Sequence, residues 1–104
     1  MKRYAFKMKL FSGNKEEYAR RHNAIWPELK ALLSKCGVRD YTIFLDEETN
    51  TLFAVQSQEG ETSSQDLGTN PIVQKWWKYM ADMMETNPDK SPVSIPLTEL
   101  FHMD

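Results

Sequence analysis

The order in which hydrophobic periodicity changes along the chain most restricts the fold it can adopt. Residues 4–10 alternate with a period of two, which is typical of a strand. Residues 14–36 and 71–85 change to spacings of three and four, which is typical of amphipathic helices. Period-two segments recur at residues 41–45, 52–56 and 97–103. The predicted order is βαββαβ, an α+β, ferredoxin-like pattern with a four-stranded antiparallel sheet and helices on one face.

Signals for starting and breaking a helix lie in the first helical segment. We expect the helix to begin at Asn14, with Glu17 three residues later completing a capping box. Pro27 interrupts the same apolar pattern, because a proline inside a helix removes a backbone hydrogen bond and crowds the preceding turn. The sequence therefore predicts either a kink or two short helices meeting near Trp26. Gly37 is expected to end this segment.

The second half of the chain begins with its most polar stretch. Residues 59–69 are rich in Ser, Thr, Gln and Gly, which favours a loop with one helical turn near residues 64–67. Pro71 is expected in the first turn of a second helix, where a missing backbone N–H is tolerated. This helix is predicted to end at about Met84 or Glu85.

Both faces of the hairpin predicted from residues 41–45 and 52–56 are apolar. Ile43 and Phe44 point to opposite faces of the first strand, as do Leu52 and Phe53 on the second. A sheet that is apolar on both faces is normally covered on both. Helices cover one face, and a second subunit is the simplest cover for the other. The sequence therefore predicts a homodimer.

Length and composition exclude several classes of function. The 104 residues amount to one domain, residues 1–104. A net charge of −2 leaves no basic stripe for nucleic acid. No apolar run approaches the ~20 residues that span a bilayer. The N-terminus lacks the apolar region of a secretory signal, so the cytoplasm is the expected compartment. Cys36, the one cysteine, is expected to be a small apolar residue at a helix end.

The chain lacks the common sequence signatures of metal and cofactor sites. There is no CxxC or HExxH pattern and no carboxylate cluster at ligand spacing, so no metal is expected. There is also no GxGxxG and no phosphate-binding loop, so no nucleotide cofactor is expected. No Ser–His–Asp or Cys–His nucleophile set is apparent either.

His22 is the first candidate for a chemical role. A lone histidine on an apolar helix face is more often a structural residue. Here Tyr18 lies one turn earlier on the same face, and a polar Tyr–His pair among leucines resembles a pocket wall. An ordinary pKa of roughly 6.5 lets a histidine give or take a proton near neutrality.

Aromatic residues supply the other candidates. Adjacent helical residues diverge, so Trp76 and Trp77 are either one core and one partly exposed side chain or an aromatic platform for a sugar. Tyr41 is either an ordinary strand aromatic or a phenol at a pocket wall. Arg20 and Arg21 are expected on a solvated helix face, with a pocket rim as the alternative position for Arg21. A Tyr/His/Trp set suits a neutral polyol better than a charged substrate.

Four segments resemble the L-rhamnose mutarotase family, in the family's order and over nearly the whole chain. They are EYARRHNAIWPEL at 17–29, YTIFLD at 41–46, QKWWKYM at 74–80, and NPD at 87–89 followed by SPVS at 91–94. The resemblance implies a ferredoxin-like dimer, of the dimeric α/β-barrel type, that interconverts the α and β anomers of L-rhamnose in the cytoplasm without a cofactor.

The same resemblance places roles on individual residues. The family's proton-donating histidine falls on His22, and its sugar-binding residues fall on Tyr18, Tyr41, Trp76 and Trp77. We expect His22 to protonate the ring oxygen as the hemiacetal opens. The partner base stays open between a tyrosine, a water and a carboxylate. The same fold also serves non-catalytic ligand-binding modules and cofactor-free oxygenases, which are the alternative functions.

Overall fold

A computed structural model describes residues 2–104. Its strands are β1 (Lys2–Lys9), β2 (Val38–Asp46), β3 (Thr51–Gln58) and β4 (Ile95–Pro96), and its α-helices are α1 (Lys15–Asn23), α2 (Pro27–Lys35) and α3 (Pro71–Met80). Short 3-10 helices lie at Ser64–Asp66 and Ala81–Met83. No helix among residues 2–104 is long and apolar enough to cross a membrane.

The sheet has the predicted ferredoxin-like topology. Its four strands lie in the order β2-β3-β1-β4, and each neighbouring pair is antiparallel. The core lies on the helix face of this sheet, where the alternation predicted for the first strand buries Phe6, Met8 and Leu10. Leu52 and Ala54 of β3 extend the same apolar surface.

The predicted last strand is the clearest error in the sequence-based fold. Residues 97–103 are not in a strand, and β4 consists of Ile95 and Pro96 alone. Pro96 has no N–H for the ladder, and the Leu97 N–H donates to the Ala5 carbonyl at 2.9 Å as the last backbone bond to β1. The apolar tail beyond it is exposed, with Leu100 at 91% and Phe101 at 80%. Its alternation therefore does not reflect pairing within this chain.

Pro27 divides the first helical segment into two helices, which was one of the two predicted outcomes. Trp26 caps α2 in an extended conformation, and Pro27 takes the first helical position. The predicted capping box is wrong, because no side chain caps α1 at Asn14. The Asn14 amide donates instead to the Phe11 carbonyl, and Glu17 pairs with arginines.

Two of the remaining turn and helix-end predictions are confirmed, and one is wrong. The helical turn expected near residues 64–67 is the 3-10 helix Ser64–Asp66. Gly37 ends α2 at a φ of +90°, a conformation that costs a side-chain-bearing residue about 1 kcal/mol or more. The second helix ends earlier than predicted, since α3 stops at Met80 and a 3-10 turn follows.

Arg21 joins the end of α1 to the end of α3, against the expectation that it is solvated. Its side chain is 12% exposed, and its Nη1 donates to the Tyr79 carbonyl at 2.6 Å and to Asp82 at 2.9 Å. The guanidinium also lies 4.5 Å from the centre of the Tyr79 ring. Hydrogen bonds from Arg20 and Arg21 lower the pKa of Glu17 to about 2. Arg21 therefore fixes the helix that carries His22.

We expect Arg21→Lys to destabilise the fold more than Arg20→Lys. A lysine ammonium cannot reproduce the planar contact with the Tyr79 ring together with bonds to three oxygen partners. Losing charged hydrogen bonds at this half-buried site should lower the free energy of unfolding by about 1–3 kcal/mol. Arg20 is exposed and forms its ion pair with Glu17 on its own helix, so Arg20→Lys is the matched control. Urea unfolding of both variants measures the difference, and equal effects would exclude this anchoring role for Arg21.

Candidate active site

The candidate site is an open cavity of about 840 Å³ between the helices and the helix face of the sheet. All five site residues predicted from the sequence line it: Tyr18, His22, Tyr41, Trp76 and Trp77. Apolar side chains of α2, β2 and β3 supply much of the remaining wall, among them Leu29, Ile43 and Leu52, and charged residues such as Lys15, Arg39 and Glu47 line it as well. The cavity is large enough for a monosaccharide.

One ring nitrogen of His22 is hydrogen-bonded to the backbone, and the other is available to a ligand. Its Nδ1 lies 3.1 Å from the backbone oxygen of Tyr18, one helical turn earlier. A carbonyl oxygen only accepts, so in neutral imidazole Nδ1 carries the hydrogen and Nε2 carries the lone pair. No side chain or backbone group of residues 2–104 forms a hydrogen bond with Nε2. Nε2 is therefore the nitrogen that remains for a ligand in the cavity.

Aromatic rings hold His22 in place. Its ring lies 4.4 Å from the Tyr18 ring at 31°, and its edge meets Trp76 at 5.4 Å and 89°. Trp76 in turn meets Trp26 edge to face at 5.1 Å, and Trp26 stacks on Tyr79. Such offset and edge contacts are the favourable geometries for aromatic pairs. The continuous aromatic packing through Trp76 and Tyr79 links His22 to the Arg21 anchor.

Burial sets the charge state of the site. It lowers the pKa of His22 below 6.5, although the hydrogen bond to Tyr18 opposes this change. Burial also raises the pKa of Tyr18 and of Tyr41 above 10.0. At neutral pH the cavity therefore presents an uncharged imidazole and two protonated phenols, which can bind hydroxyl groups without bringing a charge into the apolar wall.

A β-bulge places Tyr41 in this cavity. Arg39 pairs with Ser57 and Thr42 with Val55, so β2 has an extra residue at this point. Asp40 takes a φ of +48° there. Without the bulge, alternation would put Val38 and Tyr41 on opposite faces, whereas both lie on the helix face. The sequence pattern from residue 41 onwards gave the correct face without revealing the bulge.

Trp76 and Trp77 differ in burial, as adjacent helical residues must. Trp76 is 7% exposed and belongs to the core as well as to the cavity wall. Trp77 is half-buried, and a Cβ placed on Gly68 would come within 2.9 Å of its ring. The expectation of one core and one partly exposed side chain is therefore confirmed, and both rings line the cavity, while the sugar platform stays a prediction.

Sequence reasoning missed the polar wall formed by Ser64 and Gln65. Both line the cavity from the 3-10 helix, and Ser64 is bonded to the fully buried Gln56 of β3. Two signals could have found them. Ser63 and Asp66 have the spacing of a capping box, which the structure contains. Gln56 shares the period-two face of Leu52 and Ala54, which places it in the core.

Metal binding has no support in the side chains around the cavity. Across residues 2–104 there is no group of three or more His, Cys, Asp or Glu side chains arranged to hold a metal ion. His102, the second histidine, lies in the exposed tail and bonds to Asp104 at 2.9 Å. The chemistry that this arrangement can perform is proton transfer at Nε2 of His22 on a ligand held by phenols and indoles.

Known proteins similar to this chain share one description. A family model for L-rhamnose mutarotase matches residues 3–103. Proteins described as L-rhamnose mutarotase from Bacteroides thetaiotaomicron and Phocaeicola vulgatus are 70% and 66% identical over 104 residues, covering 100% of both chains in each case. The crystal structure of an L-rhamnose mutarotase from Formosa agariphila matches with a TM-score of 0.93 at 58% identity, covering 100% of both chains. By sequence and by fold, the chain belongs to the L-rhamnose mutarotase family.

Proposed function

We propose that this protein interconverts the α and β anomers of L-rhamnose in the cytoplasm, as an isomerase of rhamnose metabolism. The observation that carries the proposal is the free Nε2 of a tautomer-fixed His22 in a cavity walled by Tyr18, Tyr41, Trp76 and Trp77. Family membership supports L-rhamnose as the substrate, because the similar proteins are described as L-rhamnose mutarotases. Indole and phenol rings suit a deoxy-sugar, whose C–H groups pack on rings and whose hydroxyls take hydrogen bonds.

His22 would carry the proton in both directions. Neutral Nε2 takes the proton of the anomeric hydroxyl as the bond between the anomeric carbon and the ring oxygen breaks. The imidazolium then gives this proton to the ring oxygen, which is the role expected for His22 from the sequence. Both oxygens are attached to the same carbon, so one nitrogen can reach both and no second proton carrier is required.

The open-chain aldehyde completes the reaction inside the cavity. Rotation about the bond next to the aldehyde carbon presents its other face to the hydroxyl. Ring closure then runs the same proton transfers in reverse, with His22 neutral at the end. Trp76 and Trp77 would hold the apolar side of the sugar during this rotation.

We expect His22→Ala to lose accelerated anomer exchange while keeping the fold. A positioned acid–base group contributes about 10²–10⁴-fold, so exchange should fall by at least about 10²-fold. NMR saturation transfer between the anomers of L-rhamnose measures the rate. His102→Ala is the matched control, because His102 lies in the exposed tail. A binding module would leave exchange at the solution rate even with the native chain, and an oxygenase would consume oxygen instead.

The pH dependence of exchange should follow the neutral form of His22. Burial holds its pKa below 6.5, so the imidazole is unprotonated above that pH. The enzymatic rate should be level above about pH 6.5 and fall as the pH drops below it, because imidazolium cannot accept the first proton. Rates of exchange with the solution rate subtracted give the profile. A rate that rises with acidification would mean that imidazolium is the starting form.

The proposal includes a homodimer formed through the sheet face that lacks helices. On this face Phe44 is 60% exposed and pairs across the strands with Phe53, and Val55 extends the same surface. Residues 2–104 leave it without a helix cover. An apolar surface of this kind normally marks an interface, and a second copy would cover it symmetrically.

Phe44→Glu should shift the protein from twice the chain mass of 12.2 kDa to the single-chain mass. The introduced carboxylate would have to be buried in the apolar interface, which is unfavourable. Phe11→Glu makes the same chemical change at an exposed phenylalanine outside the sheet and is the matched control. Sedimentation equilibrium gives the masses. A Phe44→Glu protein that stays dimeric would place the interface elsewhere.

A further inference from the structure

Trp77 lies between the candidate site and a second, smaller pocket. The second pocket has a volume of about 370 Å³, and its lining includes Gly68 and Gln74. Among residues 2–104, Trp77 is the one residue that lines both the cavity and this pocket. A displacement of its side chain therefore changes the wall of the cavity, whichever way the ring moves.

Gly68 lies directly against the edge of this indole. A Cβ built on Gly68 would lie 2.9 Å from Cζ3 and 3.1 Å from Cη2 of Trp77. Carbon atoms in contact prefer a separation of about 3.5–4.0 Å, so the ring would have to move by at least roughly half an ångström. The φ of Gly68 is not positive, so its backbone conformation is open to other residues. Glycine is therefore required at this position for space, and not for backbone geometry.

The backbone at Gly68 is tied to the same helix that carries the indole. Gln74 Nε2 donates to the Gly68 carbonyl at 2.8 Å. Two residues after Gly68, the Asn70 side chain caps α3 by accepting from the Ile72 N–H at 2.9 Å. Overpacking at a tied contact forces side chains away from their preferred positions. A methyl group added at Gly68 would therefore displace the Trp77 ring.

We propose that Gly68 is a positioning residue, whose lack of a side chain lets the Trp77 ring stand where it packs against L-rhamnose. The inference rests on the proposed function, in which Trp77 holds the apolar side of the sugar. Apart from its neighbours in the chain, only Trp77 has atoms within 4 Å of the added Cβ. His22 is held by Tyr18 and Trp76 instead. Replacing Gly68 should therefore weaken sugar binding and leave proton transfer by His22 intact.

The test is a double-mutant cycle on Gly68→Ala and Trp77→Phe, with the Kd for L-rhamnose measured by isothermal titration calorimetry. Gly68→Ala should raise Kd by about three- to tenfold, the range that a contact with an aromatic ring contributes, and should change kcat by less than about twofold. In the Trp77→Phe background the same change should leave Kd almost unaltered, because a phenyl ring lacks the atoms that Gly68 faces. An unchanged Kd in Gly68→Ala, or equal losses in both backgrounds, would overturn the proposal.

Gly60→Ala is the matched control. Gly60 lies in the same polar segment, its φ is not positive, and a Cβ built on it would have no atom within 4 Å. Its Kd should equal that of the native chain, and a loss as large as that of Gly68→Ala would overturn the proposal by attributing the effect to the segment.

Anomer exchange measured on the same samples separates this inference from the proposed function. A native chain that binds L-rhamnose without accelerating exchange would contradict the isomerase function, while the cycle in Kd would still decide the role of Gly68. A native chain that does not bind L-rhamnose would overturn both.

Discussion

The packing of α1 against α3 is the constraint on which the site depends. Tyr18 and His22 project from one turn of α1, and the T-shaped contact between His22 and Trp76 brings α3 against that turn. Arg21 holds the same junction through its hydrogen bonds to the Tyr79 carbonyl and Asp82. Because these contacts come from the same turn of α1, a shift of the helix along its axis would break the Arg21 anchor and the proposed catalytic geometry together.

The site is supported from two sides by different kinds of interaction. On the helix side, aromatic rings and the Arg21 guanidinium support the site. The hydrogen bond of the His22 ring is to the Tyr18 carbonyl on the same helix. On the sheet side the support is the buried amide of Gln56, which ties β3 to the turn at Ser63 and Ser64. A partly satisfied polar group here would cost more than an apolar one. The hydrogen bonds at both the oxygen and the nitrogen of Gln56 explain why the fold can keep an amide in its core.

Local patterns predicted what depends on neighbours in sequence. Period two and the spacing of three and four gave the strands and helices, and Pro27 gave the division of α1 from α2, because these features act within one or two turns. The same reasoning put Tyr18 and His22 on one face. Resemblance to a family, more than pattern, pointed to Tyr41, Trp76 and Trp77, and all three lie at the cavity.

Features that depend on residues far apart in the sequence could not be predicted from local sequence patterns. Arg21 and Asp82 are 61 positions apart, so nothing in the run of charges on α1 marked Arg21 as an anchor. The bulge at Asp40 shows only in the pairing of β2 with β3. The alternation of residues 97–103 resembled a strand, but a strand needs a free edge to pair with, and Pro96 ends the pairing with β1. Apolar alternation alone does not show whether a segment has a neighbouring strand to pair with.

The charge state of the groups around His22 favours a neutral substrate over a charged one. The titratable groups beside the proposed reaction are one imidazole and two phenols, all uncharged at neutral pH because burial disfavours their ionised forms. Charged side chains also line the cavity, among them Lys15 and Glu47, which pair with each other at 3.0 Å. A charged substrate beside His22 would find no opposite charge on the imidazole or the two phenols, and its desolvation there would go uncompensated. A neutral sugar avoids that cost, and its hydroxyls can exchange hydrogen bonds with the imidazole and the two phenols.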